Sequence, residues 1–276
     1  MNRWAFPAFA ALMLLLPALP VPDFWITQSI YIGLYSLVAL GLVLLTGVAG
    51  LTSFGQAAFV GVGAYTAAYL ATTSTVSPWL TLLLGVVLAV AAALLLGALT
   101  LRMSGHYLPL ATIAWGLALN YTMANMEWLG KYDGILGIPV LTLFGVPLGT
   151  GRGLHPLVWS LALLAALAAL RLLDSLPGRA IRALKNGSTV AEAMGISTFR
   201  YKLTAFVIAA VLAAVSGWLF AHFQRSVSPS PFGINKGIEY LFMAVLGGVG
   251  NVWGAFLGSA VVRLVEDQLQ VLLPRL

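Results

Sequence analysis

Residues 178–206, GRAIRALKNGSTVAEAMGISTFRYKLTAF, form a polar segment in a chain made largely of Leu, Ala, Val and Gly. Apolar runs lie on both sides of this segment, at 156–173 and 203–223. Each run is close to the roughly 20 apolar residues that a helix needs to cross a bilayer. The sequence therefore predicts that the polar segment is a loop joining two membrane-spanning helices.

The composition of the whole chain is typical of a membrane protein. Of the 276 residues, 61% are hydrophobic and 8% are charged, whereas a soluble domain carries about 25% charged residues. Unpaired backbone groups are too costly in lipid for an open sheet, and the apolar runs lack the alternation of barrel strands. We therefore expect an all-α polytopic membrane protein, a single domain over 1–276 with about eight membrane segments. The remaining apolar runs fall at about 4–20, 24–48, 55–72, 78–101, 107–126, 239–249 and 252–273.

The first of these runs, 4–20, has an alternative interpretation. It follows a short basic start and could be a cleaved signal peptide. Pro17, Pro20 and Pro22 occupy the place where small residues should mark a cleavage site. A first membrane helix is therefore the favoured prediction.

Lys and Arg predict the orientation of the chain. If residue 1 is cytoplasmic, counting the crossings gives a cytoplasmic loop at 174–202 and an outer loop at 127–155. An excess of basic residues then lies on the cytoplasmic side, as the positive-inside rule requires. The net charge of +6 is thus explained by loop charge, and no nucleic acid is expected as a partner. The cytoplasmic set is Arg3, Arg102, Arg171, Arg179, Arg182, Lys185, Arg200 and Lys202, against Lys131, Arg152, Arg225 and Lys236 outside.

Two glycine-rich stretches interrupt the helical pattern. In TGVAGLTSFGQAAF (46–59), Ser53 to Gln56 fit the capping box S-x-x-Q, which predicts a helix start in mid-membrane. The stretch LGGVGNVWGAFLG (246–258) is similar. Paired breaks are typical of a transport pathway near the midplane, and the alternative is that the glycines allow close helix packing. On the first interpretation the pathway includes Thr52, Ser53, Gln56, Gly247 and Gly248.

Polar residues within the run 107–126 are further candidates for the pathway. Tyr121, Thr122 and Asn125 lie about one turn apart, and Thr112 lies further along the run. They could line a route for a small polar solute, together with Ser53 and Gln56. The alternative is that they make hydrogen bonds between helices, which contribute about 0.6 kcal/mol each in membranes.

The polar segment itself contains helix signals. Pro177 is suited to a first helical turn. Thr189 and Glu192 fit a second capping box, T-x-x-E, and Gly195 is a natural stop, so the sequence predicts a short helix over 189–195. A helix of this length is unstable alone in water. We therefore expect it to dock on a partner, the alternative being a solvated connector.

The sequence of this segment and the following helix, 178–223, resembles the permease subunits of bacterial branched-chain amino-acid ABC importers. The resemblance extends to the stretches 50–70 and 228–258, and it is closer to the M-type subunit than to the H-type. The motifs that carry it are Gly178-Arg179-Ala180, Arg182-Ala183, Ala191-Glu192-Ala193, Gly195-Ile196 and Arg200-Tyr201-Lys202-Leu203.

This resemblance implies a multi-pass permease of the bacterial cytoplasmic (inner) membrane. A soluble binding protein would deliver branched-chain or other hydrophobic amino acids, and a second homologous permease would complete a heterodimer. Separate cytoplasmic ATPase subunits would dock on 178–196. The stretch KYDGILGIP (131–139) departs from the family pattern, which leaves urea, amides or aromatic acids open as solutes. The implied coupling residues are Arg179, Arg182, Val190, Ala191, Glu192, Ala193, Met194, Gly195 and Ile196.

Several kinds of chemistry have no motif in this chain. It has no cysteine and no G-x-x-x-x-G-K-[ST] phosphate loop, and its three histidines lack metal-ligand spacing. We therefore expect no catalytic site, no metal and no cofactor. The apolar runs hold few ionisable residues, which disfavours an ion-coupled secondary carrier. Arg263, Glu266 and Asp267 are predicted to pair along the last helix. A third alternative to the importer and the secondary carrier is a membrane scaffold, which would show no solute flux.

Overall fold

Helices long and apolar enough to cross a membrane dominate the structure. The computed structural model describes residues 5–102, 107–143, 145–185 and 187–272, so Arg3 lies outside it. Within these residues four helices have the length and hydropathy of a span: Asp23–Val48, Pro78–Thr100, Gly151–Asp174 and Thr198–Gln224. The predicted all-helical membrane fold is confirmed. The predicted count of about eight crossings is not.

The helices follow one another with short connections except after α5. Helix α2 (Asp23–Leu42) continues directly into a π-helix over Val43–Val48. In chain order the helices are α1 (Ala5–Leu15), α2 (Asp23–Leu42), α3 (Gln56–Thr73), α4 (Pro78–Thr100), α5 (Tyr107–Asn125), α6 (Gly151–Asp174), α7 (Leu176–Leu184), α8 (Ser188–Ala193), α9 (Thr198–Gln224), α10 (Ile234–Leu246) and α11 (Val252–Leu272). Single turns of 3₁₀-helix occupy Leu16–Ala18, Glu127–Leu129 and Ser230–Phe232.

Two small antiparallel strand pairs order the connection between α5 and α6. Strand β1 (Ile135–Leu136) pairs with β4 (Ser226–Val227), the segment that follows α9. Strands β2 (Thr142–Leu143) and β3 (Val146–Pro147) pair with each other. This connection therefore lies at the same end of the molecule as the end of α9.

Helix α9 lies at the centre of the bundle, against α2, α3 and α4. Small residues allow this close contact with α3. A Cβ atom at Gly217 would collide with the backbone oxygen of Val60, and one at Gly63 would collide with the backbone of Ala214. Small residues are how membrane helices gain packing contacts that lipid cannot replace. The α3–α9 pair is therefore a tightly packed element.

The remaining spans differ in how much surface they show. The most apolar part of α2 is 83% buried, whereas that of α4 is only 22% buried. Leu83, Leu95 and Leu99 on α4 are 58%, 65% and 64% exposed. Exposed leucines on a spanning helix are suited to lipid. Helix α4 thus lies at the lipid-facing side of the bundle, and α2 lies inside it.

Candidate transport pathway and coupling surface

The first helix break, at 49–55, is buried and holds polar side chains. Ser53 and Gln56 are each 1% exposed. Their predicted capping box is wrong, because α3 begins at Gln56 with Gly55 as its N-cap and has no side-chain cap bond. The backbone N–H of Phe54 instead donates to Thr112 Oγ1 on α5, at 3.1 Å. The cap signal thus located the start of a helix but not the partner of its first N–H groups.

The side chains of Ser53 and Gln56 have no hydrogen-bond partner among the described residues. This applies to the Ser53 hydroxyl and to both ends of the Gln56 amide. Leaving such groups buried and unpaired costs about 1–3 kcal/mol each. Orphaned buried polar groups are rare, and a functional role is one of the explanations for them. The break therefore places unpaired polar groups inside the bundle, as do a few other buried positions such as Tyr65 and Ser259.

The second break joins α10 to α11 and touches the end of α2, just before the first break. A Cβ atom at Gly47 would collide with the backbone N of Gly250 and would lie 2.9 Å from its Cα. The predicted candidates Gly247 and Gly248 are half-buried beside this contact, as is Thr52 in the first break. The two stretches that the sequence paired by similarity thus meet in space.

Both breaks lie near one end of the bundle. The helix that precedes the first break runs over Asp23–Val48, 26 residues, whereas about 20 suffice to cross a bilayer. The first break therefore follows a helix of full spanning length, and its position at the midplane stays a prediction. The end that carries it also carries the loop after α7, because Lys185 Nζ donates to the Gly47 oxygen at 3.1 Å.

The polar candidates on α5 do not join the breaks. Tyr121 is 59% exposed. Thr122 and Asn125 donate to backbone oxygens of their own helix, at 2.8 and 2.7 Å. Thr122 lines a separate cavity of about 280 Å³ with mainly apolar and aromatic walls. The α5 residue that does contact the first break is Thr112, which lies nearer the start of the same helix.

The loop between α6 and α9 folds as two short helices, as predicted. Pro177 lies in the first turn of α7, which is capped by Ser175 accepting from Gly178 N at 3.3 Å. Ile181 is 2% exposed, while Arg179 and Arg182 are exposed. Helix α7 thus attaches to the bundle by its apolar face and presents its basic face outward.

The second short helix, α8, has no side-chain cap. Its N-cap is Gly187, so the predicted Thr189–Glu192 capping box is wrong. Glu192 instead accepts a hydrogen bond from Thr198 Oγ1 at 2.6 Å, which connects α8 to the first turn of α9. Gly195 follows the helix with φ +78°, the left-handed conformation expected at a helix stop.

The outward side of α8 is apolar. Val190 and Met194 are 53% and 75% exposed, whereas Ala191 is 1% exposed. Of the other predicted coupling residues, Glu192, Ala193 and Gly195 are exposed and Ile196 is half-buried. Ala191 therefore attaches α8 to the protein, and only its neighbours can meet a partner. We call five of these exposed residues, Arg179, Arg182, Val190, Glu192 and Met194, the coupling surface.

An ionic cluster lies between α2, α10 and α11, and its contacts between different helices were not predicted from the sequence. Lys236 Nζ lies 2.7 Å from Glu239 Oε1 and 3.8 Å from Glu266 Oε2, and Arg263 Nη1 lies 3.3 Å from Glu266. The predicted Arg263–Glu266 pair is confirmed. Asp267 instead accepts from Gln28 Nε2 on α2, at 2.6 Å.

Aromatic rings complete this cluster. The Lys236 ammonium lies 4.4 Å from the centre of the Tyr35 ring, and the Arg263 guanidinium lies 4.4 Å from that of Tyr31. Such cation–π contacts contribute about 0.5–2 kcal/mol each. The cluster holds the α10–α11 pair against α2. Within the described residues, no group of three or more His, Asp or Glu side chains could hold a metal ion.

Comparison with known proteins agrees with this architecture. The family model described as "Branched-chain amino acid transport system / permease component" matches residues 24–275. The high-affinity branched-chain amino acid transport system permease protein LivM of Escherichia coli (strain K12) is 33% identical over 260 residues, 86% of this chain. LivM of Salmonella typhimurium (strain LT2) is equally similar, at 33% over 260 residues and 86% of this chain.

The lengths of these relatives differ from that of this chain. The aligned part covers 61% of either LivM protein. The permease protein LivH of the same-named system in Escherichia coli (strain K12) is 27% identical over 250 residues, 84% of this chain and 80% of LivH. No solved structure matches the chain. The chain is thus a multi-pass membrane protein that belongs to the family of branched-chain amino acid transport system permease components.

Proposed function

We propose that this chain is the permease subunit of an ATP-driven importer in the bacterial cytoplasmic membrane. Its solutes are branched-chain or other hydrophobic amino acids. The observation that carries the proposal is the coupling surface, which lies at the end of the bundle where the two helix breaks meet. An importer whose energy comes from a separate ATPase subunit needs a docking site for that subunit close to the gate. A carrier that works alone needs no such surface.

The energy source is a separate ATPase. The chain has no phosphate-binding loop of its own. Exposed apolar side chains beside basic ones suit a protein interface, because apolar atoms supply burial while charges supply orientation. Val190 and Met194 are the apolar anchors, and Arg179 and Arg182 provide the charge. The ATPase subunits dock here.

The breaks form the gate of the pathway, which is closed in this structure. The cavity beside Gly55 and Thr112 has a volume of about 10 Å³, enough for about one water molecule and far too small for an amino acid. Ser53 and Gln56 are buried without partners. When the gate opens, these groups bind the α-amino and carboxylate groups of the amino acid as it passes.

Two further partners belong to this proposal. LivM and LivH are both described as permease proteins of one transport system, which supports a heterodimer of two homologous permeases. A soluble binding protein outside the membrane supplies the solute and selects it.

Reconstitution tests the proposal. The chain, its partner permease and the ATPase subunits are placed in proteoliposomes with the binding protein outside and ATP inside. We expect uptake of radiolabelled leucine that requires ATP hydrolysis and is lost without the ATPase subunits. Uptake driven by an ion gradient in the absence of those subunits would contradict the proposal and favour a secondary carrier. Uptake of urea, amides or aromatic acids instead of leucine would correct the solute class.

A further inference from the structure

We infer that Lys185 is a positioning residue that transmits motion of the coupling surface to both helix breaks. This inference rests on the proposed function, because it concerns how a docked ATPase opens the gate. Lys185 directly follows α7, whose basic face belongs to the coupling surface. It touches the end of α2, which in turn touches the turn between α10 and α11.

The contact between Lys185 and α2 is charge-assisted. Lys185 Nζ donates to the backbone oxygen of Gly47 at 3.1 Å. Gly47 lies in the π-helical last turn of α2, where carbonyl groups run out of helical N–H partners. A hydrogen bond that involves a charged group is stronger than a neutral one. The ammonium thus holds the end of α2 by a group that needs a donor.

Backbone packing reinforces this contact. A Cβ atom at Gly50 would lie 3.4 Å from Lys185 Cα and 3.8 Å from Lys185 Cβ. The loop between Gly47 and Gly50 therefore passes close to Lys185, with room for about one Cβ atom between them. Thr46 Oγ1 also donates to the Leu51 oxygen at 3.0 Å, which stiffens this loop. The end of α7 and the first break thereby lie side by side, joined by the hydrogen bond from Lys185 Nζ to the Gly47 oxygen.

The second break receives the same motion through Gly47. No side chain fits between Gly47 and Gly250, because a Cβ atom at Gly47 would collide with the Gly250 backbone. Close-packed atoms transmit displacement rather than absorb it. A shift of the end of α7 therefore moves the end of α2 and the α10–α11 turn together.

Substitution of Lys185 tests this role in the complete reconstituted importer. Lys185→Met should leave the ATPase subunits bound and hydrolysing ATP, while the amount of leucine imported per ATP falls about tenfold, as expected for loss of a charged hydrogen bond. Lys185→Arg should retain the wild-type ratio, because Arg can still donate to the Gly47 oxygen. Arg171→Met, which removes a charge from the exposed last turn of α6, is the matched control and should be unaffected.

A reversible cross-link provides an independent test. The chain has no cysteine, and the Cβ distance of 3.8 Å between positions 50 and 185 matches the roughly 3.8 Å of disulfides. Lys185→Cys alone should uncouple import, and the oxidised Gly50→Cys, Lys185→Cys double variant should regain it. Reduction should remove it again. Gly50→Cys alone controls for the strain of a side chain at φ +72°.

The outcomes separate the inference from the proposed function. Wild-type import per ATP in Lys185→Met would overturn the inference, and so would an oxidised double variant that hydrolyses ATP without importing leucine. Both results leave the proposed function standing as long as the wild-type complex imports leucine with ATP. Absence of ATP-driven import in the wild-type complex would instead contradict the proposed function.

Discussion

Ser53 and Gln56 combine deep burial with unpaired polar atoms, which opposes stability and therefore suggests a functional role. Each is 1% exposed, and neither side chain has a partner among the described residues. Replacing an unpaired buried polar group by an apolar one is neutral or stabilising. A role in packing alone would thus make both residues replaceable without loss. A role in passage of the solute would make them replaceable only at the expense of flux.

We therefore predict that Gln56→Leu lowers leucine flux about fivefold, the equivalent of about one hydrogen bond, without lowering thermal stability. Ser53→Ala should behave alike. Gly55→Leu should be the most severe change, because even a Cβ atom there would lie 2.7 Å from Trp115 Cζ2 and 2.8 Å from the Thr112 oxygen. Uptake and thermal unfolding are measured side by side in purified complexes. Normal flux in all three variants would leave only packing as the role of this break.

At the scale of elements, the apolar runs predicted most helices to within a few residues. The run 78–101 became Pro78–Thr100, and the run 156–173 became Gly151–Asp174. Both capping boxes failed, because a sequence cannot show which polar atom lies nearest a helix start. In the structure Glu192 accepts a hydrogen bond from Thr198, and the N–H of Phe54 donates one to Thr112. Apolar periodicity also does not distinguish the faces of α5, so the sequence could not show that Tyr121 is exposed.

The ionic cluster was missed for a different reason. Arg263 and Gln28 are 235 residues apart in the chain and 2.7 Å apart in space. Sequence spacing reports only pairs within one helix, such as Arg263–Glu266. Contacts between α2 and α11 depend on how the helices pack, which no single run specifies. The residues predicted to couple to the ATPase, by contrast, are local in sequence, and all but Ala191 and Ile196 are exposed in the structure.

Helix α8 allows a prediction at this scale. Gly195→Pro should abolish ATPase binding and import, because Pro fixes φ near about −65° where the structure has +78°. Glu192→Ala should weaken both, since it removes the hydrogen bond from Thr198 and about 1 kcal/mol of local stability. Co-purification of the ATPase subunits with the inserted permease measures this effect. Full uptake in either variant would show that the ATPase docks elsewhere.

The ionic cluster allows a second prediction at the scale of elements. Glu266→Gln should lower the thermal stability of the permease by about 1 kcal/mol, because it weakens contacts with both Lys236 and Arg263. The control is Glu127→Gln, whose ion pair with Lys131 is on the surface, with the Glu127 side chain 85% exposed. Exposed pairs contribute little to stability, so this variant should unfold like the wild type. Equal stability of the two variants would mean that the cluster does not hold α10 and α11 to α2.

At the scale of the whole molecule, the charges and contacts divide the chain into two ends. One end holds the coupling surface, both breaks and Arg102, whose guanidinium lies 5.5 Å from the centre of the Phe199 ring. The other end holds the strand pairs and Arg152, which bonds Asp23 at 2.8 Å. The first end carries the excess of basic residues in the sequence. The positive-inside rule then assigns it to the cytoplasm.

This assignment gives a topology prediction that cysteine labelling checks. Cysteine introduced at Lys185 should react with a membrane-impermeant maleimide only from the cytoplasmic side, and cysteine at Asp133 only from outside. Both residues are exposed in the structure, and the native chain contributes no background because it has no cysteine. Each variant is labelled in intact cells and in inverted vesicles. If Lys185→Cys were labelled in intact cells, the basic end would face outward. No cytoplasmic ATPase could then reach α8, and the coupling surface would lose its proposed partner.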